Sequence, residues 1–510
     1  MKKILYIFLI SLCSSCHLLD VEPENAVTYT NYFQSELELE SVTYQMHSFI
    51  RMYLQDIDHF AHEYAGAFAD EIEPSVENYQ NFNPSAYPIS GPWCDWRNLY
   101  DIIYVSNVIL DNLHRTVNVV PERINFHRGQ ACFGKGISYF YTARRWGNAV
   151  ITKDSKTTSG YACSPALEVI DTAIANGLAA YHLLPKFEDM TNRNGTPITS
   201  KQFGCKGSAA ALLAHAYAWK GSIIDLYNLQ GNARACYEQA ILWAGKIIGG
   251  EAGTYTMQTP EELCQLMSKP REFNPESIFE IELDEVSSGH AQSREFGQFY
   301  LSWPVNIKAS SGEITTNPLR IYNTTVDEMY SDNDLRKKAF FYTPNPEDHI
   351  DQDKYAYPYK WREGLYRPAE NGEKAWQTLR ANAMVWRLAD IYLLRAECSA
   401  KTGNEPAAKN DLNEVRKRAH ATPYPSAEDR NIQYAVFKER EKELLFEGHR
   451  FYDIIRNGET YIMQELLAGK NNMINRQAIL DGVLYLPIVE DAFTLNDKMR
   501  QNVYWAKYNK

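Results

Sequence analysis

Several acidic and histidine residues have side chains that hydrolytic enzymes use, and two carboxylates flanking a cleft could cleave a glycosidic bond. His59, His62 and Glu63 lie together in DHFAHEYAG, but their spacing differs from the HExxH pattern of zinc proteases. The segment DQDKY at Asp351 resembles part of a calcium loop and lacks the glycine at the sixth position. The chain has no GxSxG motif and no phosphate-binding glycine loop. These patterns favour solvated helix and loop positions over a catalytic or metal site.

Aromatic side chains are concentrated in a region, from about residue 250 to 379, where Pro, Gly, Asn and Ser become common. This composition predicts a loop-rich insertion with short β-prone pieces such as SIFEIEL at Ser277. Because such a region has little helical core in which to bury aromatic rings, the excess of aromatic residues indicates contact with a ligand. The rings are Tyr300, Trp303, Tyr355, Tyr357, Tyr359, Trp361, Tyr366 and Trp376.

Cys16 is a candidate for lipid attachment. Two lysines, a short apolar run and small residues precede it, which is the layout of a secretion signal over residues 1–15. The apolar run is about half of the roughly 20 residues that a membrane-spanning helix needs. We therefore predict cleavage before Cys16, acylation of its thiol, and a polar tether over residues 16–30. An ordinary signal peptide with an incidental cysteine is the alternative.

Charge and cysteine content limit the partners. The chain has 64 acidic and 52 basic residues, a net charge of −12, and no basic stripe that could follow a phosphate backbone, so nucleic acid is not an expected partner. Beyond the signal and anchor the cysteines are odd in number and form no CxxC motif, which predicts mostly free thiols and no metal. They are Cys94, Cys132, Cys163, Cys205, Cys236, Cys264 and Cys398.

Apolar residues recur at helical spacing through both halves of the chain and predict a mainly α fold. One hairpin begins at Ser208 with AAALLAHAYAWKGSIIDL and returns as ARACYEQAILWAGKII. A second starts at Val385 and turns at Gly403. Small alanines at the facing positions favour closely packed, tetratricopeptide-like hairpins.

Further helices are predicted over residues 93–113, 124–146 and 165–184, the last with Ser164 as N-cap and Pro165 at the first helical position. The expected organisation is a helical scaffold over residues 31–250, the insertion over 251–380, and a helical C-terminal region over 381–510. Stacked together, the hairpins would form a short solenoid.

The segment REKELLFEGHRFYDIIRNGE, residues 440–459, resembles the hallmark of the SusD/RagB family. The resemblance continues through LLDVEPEN, WRNLYDIIYVSNVILDNL, GQACFGKGISYFYTARRWGNAVI, RLADIYLLRAE and LYLPIVEDAFTLNDKMRQN, so it covers nearly the whole chain. Within the hallmark, Arg440 lies three residues from Glu443 and Arg450 three from Asp453, which predicts ion pairs along one helix face rather than acid–base chemistry. Arg395 and Glu397 are expected to tie helices together in the same way.

The resemblance implies a surface lipoprotein of the outer membrane that binds a SusC-like TonB-dependent transporter. Such a protein captures an oligosaccharide, or in the RagB branch a peptide, and has no catalytic role or cofactor. Sugar recognition in this family resembles aromatic rings stacking on pyranose faces beside carboxylates and amides. The candidate glycan-binding residues are Asp70, Tyr87, Trp93, Trp96, Tyr300, Trp303 and Trp361.

Each of these candidates has a structural interpretation as an alternative, and two other functions remain open. Trp96 lies at helical spacing with Tyr100 and Ile103, which favours a core position, whereas Trp93 beside Gly91 favours exposure. A glycoside hydrolase is one alternative, although no motif supports it. The other is a tetratricopeptide-type scaffold that grips a partner protein without a small ligand, against which the aromatic insertion argues.

Overall fold

The computed structural model shows a helical scaffold with a few short strands, which confirms the predicted mainly α class. It describes residues 32–56, 89–284, 305, 321–342, 355–368, 374–466, 469, 472–494 and 496–508. The helices are α1 (Glu36–Gln55), α2 (Arg97–Asn112), α3 (Pro121–Arg145), α4 (Ala166–Leu183), α5 (Lys206–Tyr227), α6 (Ala233–Ile248), α7 (Pro260–Met267), α8 (Asn323–Met329), α9 (Leu335–Phe340), α10 (Leu388–Lys401), α11 (Glu405–Arg418), α12 (Ile432–Glu443), α13 (Arg450–Asn457), α14 (Glu459–Glu465), α15 (Arg476–Leu480) and α16 (Val503–Ala506).

The strands are short and most of them lie in the insertion. They are β1 (Ala149–Val150), β2 (Cys163–Ser164), β3 (Ser277–Leu283), β4 (Ile321–Tyr322), β5 (Phe341–Tyr342), β6 (Tyr355–Pro358), β7 (Gly364–Pro368), β8 (Lys374–Leu379) and β9 (Ala381–Arg387). Short 3-10 turns lie at Pro92–Cys94, Leu113–Arg115, Phe187–Asp189 and Glu490–Phe493. The strands pair as β1 with β2, β3 with β9, β7 with β8, and in the order β4-β6-β5.

The α5–α6 hairpin forms where the alanine-rich segment predicts it. At its start, the Cys205 N–H donates to the Ser208 hydroxyl at 2.7 Å, and the Ser208 N–H donates back to the Cys205 sulfur. At its turn, Asn228 adopts a left-handed φ of 51° that ends α5. A Cβ on Gly221 would lie 2.7 Å from the Tyr237 ring, so glycine permits the close approach of α6.

The second predicted hairpin consists of α10 and α11. Gly403 turns the chain with a φ of 80°, and the Asn404 side chain caps α11 by accepting from the Ala407 N–H at 3.3 Å. The Arg395 guanidinium donates to both carboxylate oxygens of Asp411 at 2.7 and 2.6 Å. The prediction that Arg395 ties helices together is confirmed.

The helices stack in an ordered series. Helix α2 packs on α3, α3 on α4, α4 on α5 and α5 on α6, and α6 then packs on α10, which contacts α11 and α12. The insertion separates α6 from α10 in sequence, while the two helices are neighbours in space. This succession of packed neighbouring helices is what a tetratricopeptide-like solenoid requires.

The ribbon of β3 and β9 changes one predicted boundary. Every residue of β3 is buried, and its first residue, Ser277, lies opposite Arg387 at the end of β9. Because β9 runs through Val385 and Trp386 before α10 begins at Leu388, the prediction of a helix from Val385 is wrong. The strand conformation of residues 381–387 depends on backbone pairing with β3, which is distant in the sequence. The local spacing of apolar residues therefore could not predict it.

Other helix boundaries differ by a few residues from the predicted ones. The residues around Trp93 form a 3-10 turn, so α2 starts only at Arg97. Helix α3 begins at Pro121, where a proline suits the first helical position. Helix α4 begins at Ala166 and Pro165 is its N-cap, one residue later than predicted.

The hallmark segment contains two helices, because a turn separates α12 from α13. Phe446 lies in that turn with a φ of 66°. Arg440 binds Asp390 of α10 at 2.9 Å and Asp453 of α13 at 3.0 Å, instead of pairing with a residue on its own helix. Arg450 binds Glu441 at 2.6 Å. The predicted ion pairs along one face are therefore replaced by pairs between elements.

Glu443 is the centre of a buried ionic cluster at the end of α12. Its carboxylate accepts from Arg387 at 2.6 Å, from Arg336 at 3.1 Å, and from Arg418. Burial alone would raise the pKa of Glu443, but the three guanidinium groups of Arg418, Arg387 and Arg336 hold it well below its usual value. One carboxylate thus joins α9, β9 and α11 to α12. An enclosed acid that stays ionised supports a structural role.

Glu397 of α10 also links two helices through an ion pair. It accepts two hydrogen bonds from Arg456 of α13, both at 2.8 Å, so the prediction that Glu397 ties helices together is confirmed.

The cysteines of the described residues are free, and Cys132, Cys236 and Cys398 are buried within helices. Within the described part of the chain, we find no helix with both the length and the apolar character to span a bilayer.

Candidate functional site

The structure describes three of the seven predicted glycan-binding residues. These are Trp93, Trp96 and Trp361. Asp70, Tyr87, Tyr300 and Trp303 lie outside the described residues, as do His59, His62, Glu63, Asp351 and the lipidation candidate Cys16.

Two of the three described tryptophans belong to the core. Trp96 is 7% exposed, with its ring 5.4 Å from that of Tyr100 and 5.8 Å from that of Trp146, in agreement with the core interpretation. Trp361 is 2% exposed. We expected it on an open loop, but in this structure its ring packs in the core and has no face open to a sugar. The insertion therefore buries part of its aromatic content.

Trp93 has the partial exposure that a contact residue needs. It lies in the 3-10 turn before α2, half-buried, with its ring against the backbone of Gly91. A Cβ on Gly91 would lie 2.5 Å from Cε2 of the ring, so a larger residue there would displace it. Glycine is thus required for the ring to take this position.

The exposed face of α2 continues from this turn. Arg97, Asp101 and Tyr104 are spaced four and three residues apart, so they follow one another along the helix surface. Tyr104 is 56% exposed. Burial against its surroundings raises the pKa of the Asp101 carboxyl. The helical spacing alone could have indicated this face, since Leu99, Ile102 and Ile103 occupy the opposite, buried side.

The C-terminal part of the chain holds this face in position. The Arg97 guanidinium lies 3.1 Å from Asp491 in the last 3-10 turn and 3.5 Å from Asp95. The Glu490 N–H donates to the carbonyl of Ile89 at 3.1 Å, directly after the segment that carries Asp70 and Tyr87. We call Trp93, Arg97, Asp101, Tyr104 and Asp491 the α2 rim.

The α2 rim has the chemistry of a polyol-binding surface. Tyr104 offers an exposed ring and Trp93 a partly exposed one that also packs against the core, while Asp101 and Asp491 offer acceptors and Arg97 offers donors. The guanidinium of Arg97 pairs with Asp95 and Asp491, so it serves as a charged hydrogen-bond donor on this surface. Among the described residues, no group of three or more His, Cys, Asp or Glu side chains is arranged to hold a metal ion.

A separate polar cleft of about 420 Å³ lies between α8, α12 and the loop after α11. Its lining includes Arg416, whose guanidinium binds Asp429 at 2.9 Å and Glu439 at 2.8 Å. These paired side chains are buried, whereas the Arg97–Asp491 pair of the α2 rim is exposed, so the cleft offers fewer accessible partners than its composition suggests. It offers no exposed aromatic platform comparable with the α2 rim, because Arg430 lies over the Tyr434 ring at 4.4 Å.

Comparison with known proteins decides the family. Residues 275–505 match a model described as the SusD family, and residues 17–201 match a second one described as starch-binding associating with outer membrane. The chain belongs to the SusD/RagB family. The SusD-like protein P25 of Formosa agariphila is 22% identical over 498 residues, which cover 89% of each chain.

Solved structures of SusD proteins share the fold. A SusD homologue from Bacteroides thetaiotaomicron superposes with a TM-score of 0.73 at 19% identity, over 93% of this chain and 99% of the other. NanU of B. fragilis gives a TM-score of 0.68 at 17% identity, over 94% and 99%. At such low sequence identities the similarity shows a shared fold, and it does not show which ligand this chain binds.

Proposed function

We propose that this SusD-family protein is a surface-anchored binder that captures an oligosaccharide at the α2 rim and passes it to a TonB-dependent outer-membrane transporter. The observation that carries the proposal is the exposed face of α2, which presents a guanidinium, a carboxylate and a tyrosine directly after the turn that contains the half-buried Trp93. The description of the matched family, with its starch binding and outer-membrane association, supports the same class of ligand.

Binding at this rim combines stacking with hydrogen bonds. A pyranose places its C–H face on Trp93 while its hydroxyls donate to Asp101 or accept from Arg97. Stacks and hydrogen bonds of about 1 kcal/mol each give dissociation constants between roughly millimolar and tens of micromolar. Such weak capture suits release to a second protein.

The remaining predicted contacts complete the proposed site. Asp70 and Tyr87 lie in the segment that ends at the rim, and Tyr300 and Trp303 lie in the insertion. Val305, two residues after Trp303, packs against the hydrophobic core. We propose on the sequence alone that Tyr300 and Trp303 contribute further rings to glycan binding.

The same proposal includes an anchor and the absence of catalysis. Cys16 would carry the lipid, and the tether over residues 16–30 would hold the globule at the outer membrane. The acids of the hallmark region are paired with arginines, and Asp491 of the rim is paired with Arg97. A binding function without bond cleavage is consistent with this pairing.

The test uses the unlipidated chain from His17 in native gels containing amylopectin, xylan, laminarin or alginate, with reducing ends measured in parallel. We expect retardation by at least one polysaccharide and no release of reducing ends. Release of product would favour a glycoside hydrolase. No retardation in any gel, combined with binding of a peptide library, would favour the RagB-like alternative and overturn the glycan proposal.

A further inference from the structure

Phe273 is an exposed aromatic ring that the α2 rim does not use. It lies in the loop between α7 and β3, and 59% of its surface is exposed. Phe187, in the turn between α4 and α5, stacks against it with ring centroids 6.2 Å apart and planes 20° apart. The two stacked rings therefore present aromatic surface to solvent.

A buried lysine contacts this ring. The Lys201 ammonium is 4.6 Å from the centroid of Phe273 and 5.2 Å from that of Phe187. It also donates to the carbonyls of Asn274 at 2.7 Å and Ser277 at 2.5 Å. Lys201 therefore binds both the ring and the backbone that follows it, at a site where Lys201 itself is 2% exposed.

The loop on the other side of Phe273 is also fixed. Arg271 adopts a φ of 70°, and its guanidinium binds Asp284 at 2.6 Å. The Glu272 N–H donates to the carbonyl of Lys269 at 3.1 Å. Because backbone and side-chain bonds restrain the loop on both sides of Phe273, a ligand would lose little entropy in ordering it.

Acidic residues flank the two rings in the sequence. Glu272 and Glu188 are exposed neighbours in sequence of Phe273 and Phe187. Glu188 accepts from the Thr254 hydroxyl at 3.5 Å, and Glu272 forms an exposed ion pair with Lys269 at 3.4 Å. An exposed ring with a carboxylate next to each stacked phenylalanine in the sequence fits the apolar face and the hydroxyls of a pyranose.

We propose that the Phe273 platform, defined as Phe273, Phe187, Glu188 and Glu272, is a second glycan-contact site that stacks on a pyranose ring. It rests on the proposed glycan-binding function and adds a contact built from different segments than the α2 rim. Two weak contacts on one polysaccharide chain raise the overall affinity, because the second contact forms at high local concentration. A long glycan would then be held more tightly than a short one.

The experiment compares variants of the unlipidated protein in native gels with the polysaccharide that retards the wild type. Phe273→Ala should weaken retention about fivefold, as expected for one lost stack. Phe273→Leu, which keeps an apolar side chain without a ring, should behave in the same way, and Phe273→Trp should retain or strengthen binding. Tyr508→Ala removes another ring of similar exposure, 55%, and serves as the control.

The outcomes separate this site from the proposed function. Retention of Phe273→Ala equal to that of the wild type, with Trp93→Ala weakened, would remove the Phe273 platform and leave the glycan-binding function in place. A wild type that no polysaccharide retards would overturn both. Equal weakening by Phe273→Ala and Tyr508→Ala would point to a general surface effect and also remove the platform. Melting temperatures within about 1 °C of the wild type confirm that each variant is folded.

Discussion

Replacing Glu443 by glutamine tests the structural role of the hallmark segment. The substitution keeps the shape of the side chain and removes the charge that three guanidinium groups share. The new side chain would keep one acceptor oxygen, and its amide would bring donors towards arginines that have only donors to offer. Breaking a buried ion pair costs about 3–5 kcal/mol, which is the expected loss of unfolding free energy here.

The loss is measurable as a shift in melting temperature. A chain of this length has an unfolding entropy of roughly 1 kcal/mol per degree, so Glu443→Gln should melt about 3–5 °C below the wild type. Glu238→Gln is the matched control, because Glu238 pairs with Arg234 at 3.0 Å on the exposed surface of α6. That pair contributes about 0.3–0.5 kcal/mol, so its loss should shift the melting temperature by less than about 1 °C.

Glycan retention should be unchanged in folded Glu443→Gln, since the α2 rim does not contain Glu443. A melting temperature equal to that of Glu238→Gln would refute the structural role of the cluster. Loss of reducing-end release in Glu443→Gln, from a wild type that shows such release, would instead assign the carboxylate to catalysis.

Three further results are expected. Burial alone would raise the pKa values of Glu397, Glu441 and Glu447, but their arginine partners outweigh burial and lower these pKa values to about 2. Each carboxylate should therefore contribute about 3 kcal/mol of stability above pH 4.5, and this contribution should be lost as the pH falls from 4.5 to about 2. Burial raises the pKa of Glu280 to about 7, so its ionised form opposes folding; Glu280→Gln should stabilise the protein by about 1–3 kcal/mol at pH 8 and by much less at pH 5. Gly91→Ala should displace the Trp93 ring and weaken polysaccharide retention, with little change in melting temperature.

Each of these results has a contrary outcome. Thermal melts that are flat between pH 4.5 and pH 2 would contradict the paired state of the three carboxylates. Equal stabilisation by Glu280→Gln at pH 5 and pH 8 would show that ionisation is not its cause. Wild-type retention by Gly91→Ala would mean that the position of Trp93 does not matter for binding. Gly245→Ala in α6, where the new Cβ would lie 3.8 Å from the Arg395 side chain, is the control for a change of glycine alone.

Local sequence signals were sufficient to predict the two helical hairpins. The alanines of α5 and α6 mark close packing, and Gly403 followed by Asn404 marks a turn and a cap. These features act over a few residues, which is the range over which spacing and capping can be read. The family hallmark could be found in the same way, as a continuous string of residues.

Long-range contacts explain what the sequence alone did not predict. Val385 lies in a strand because β3, more than a hundred residues earlier, pairs with β9. Arg440 pairs with Asp390 and Asp453 on other helices, although residues of the required charge lie nearer on its own helix. Trp361 was expected on an open loop, and it is buried because the insertion contributes strands and short helices to the core.

The α2 rim was predicted only in part. Trp93 was selected for its place beside Gly91 and a proline, and it is half-buried as a contact residue would be. Arg97 and Tyr104 were missed, although the helical period that places Leu99 inside also places them outside. Asp491 could not have been assigned to this surface, since it lies almost four hundred residues further along the chain.

The contact between Trp93 and a sugar is tested most directly by calorimetric titration with an oligosaccharide of the retained polysaccharide. Trp93→Ala should bind at least about fivefold more weakly than the wild type, whereas Trp361→Phe, which changes a buried ring, should bind with the same dissociation constant. Equal affinity of Trp93→Ala and the wild type, with both proteins folded, would contradict the assignment of the glycan to the α2 rim.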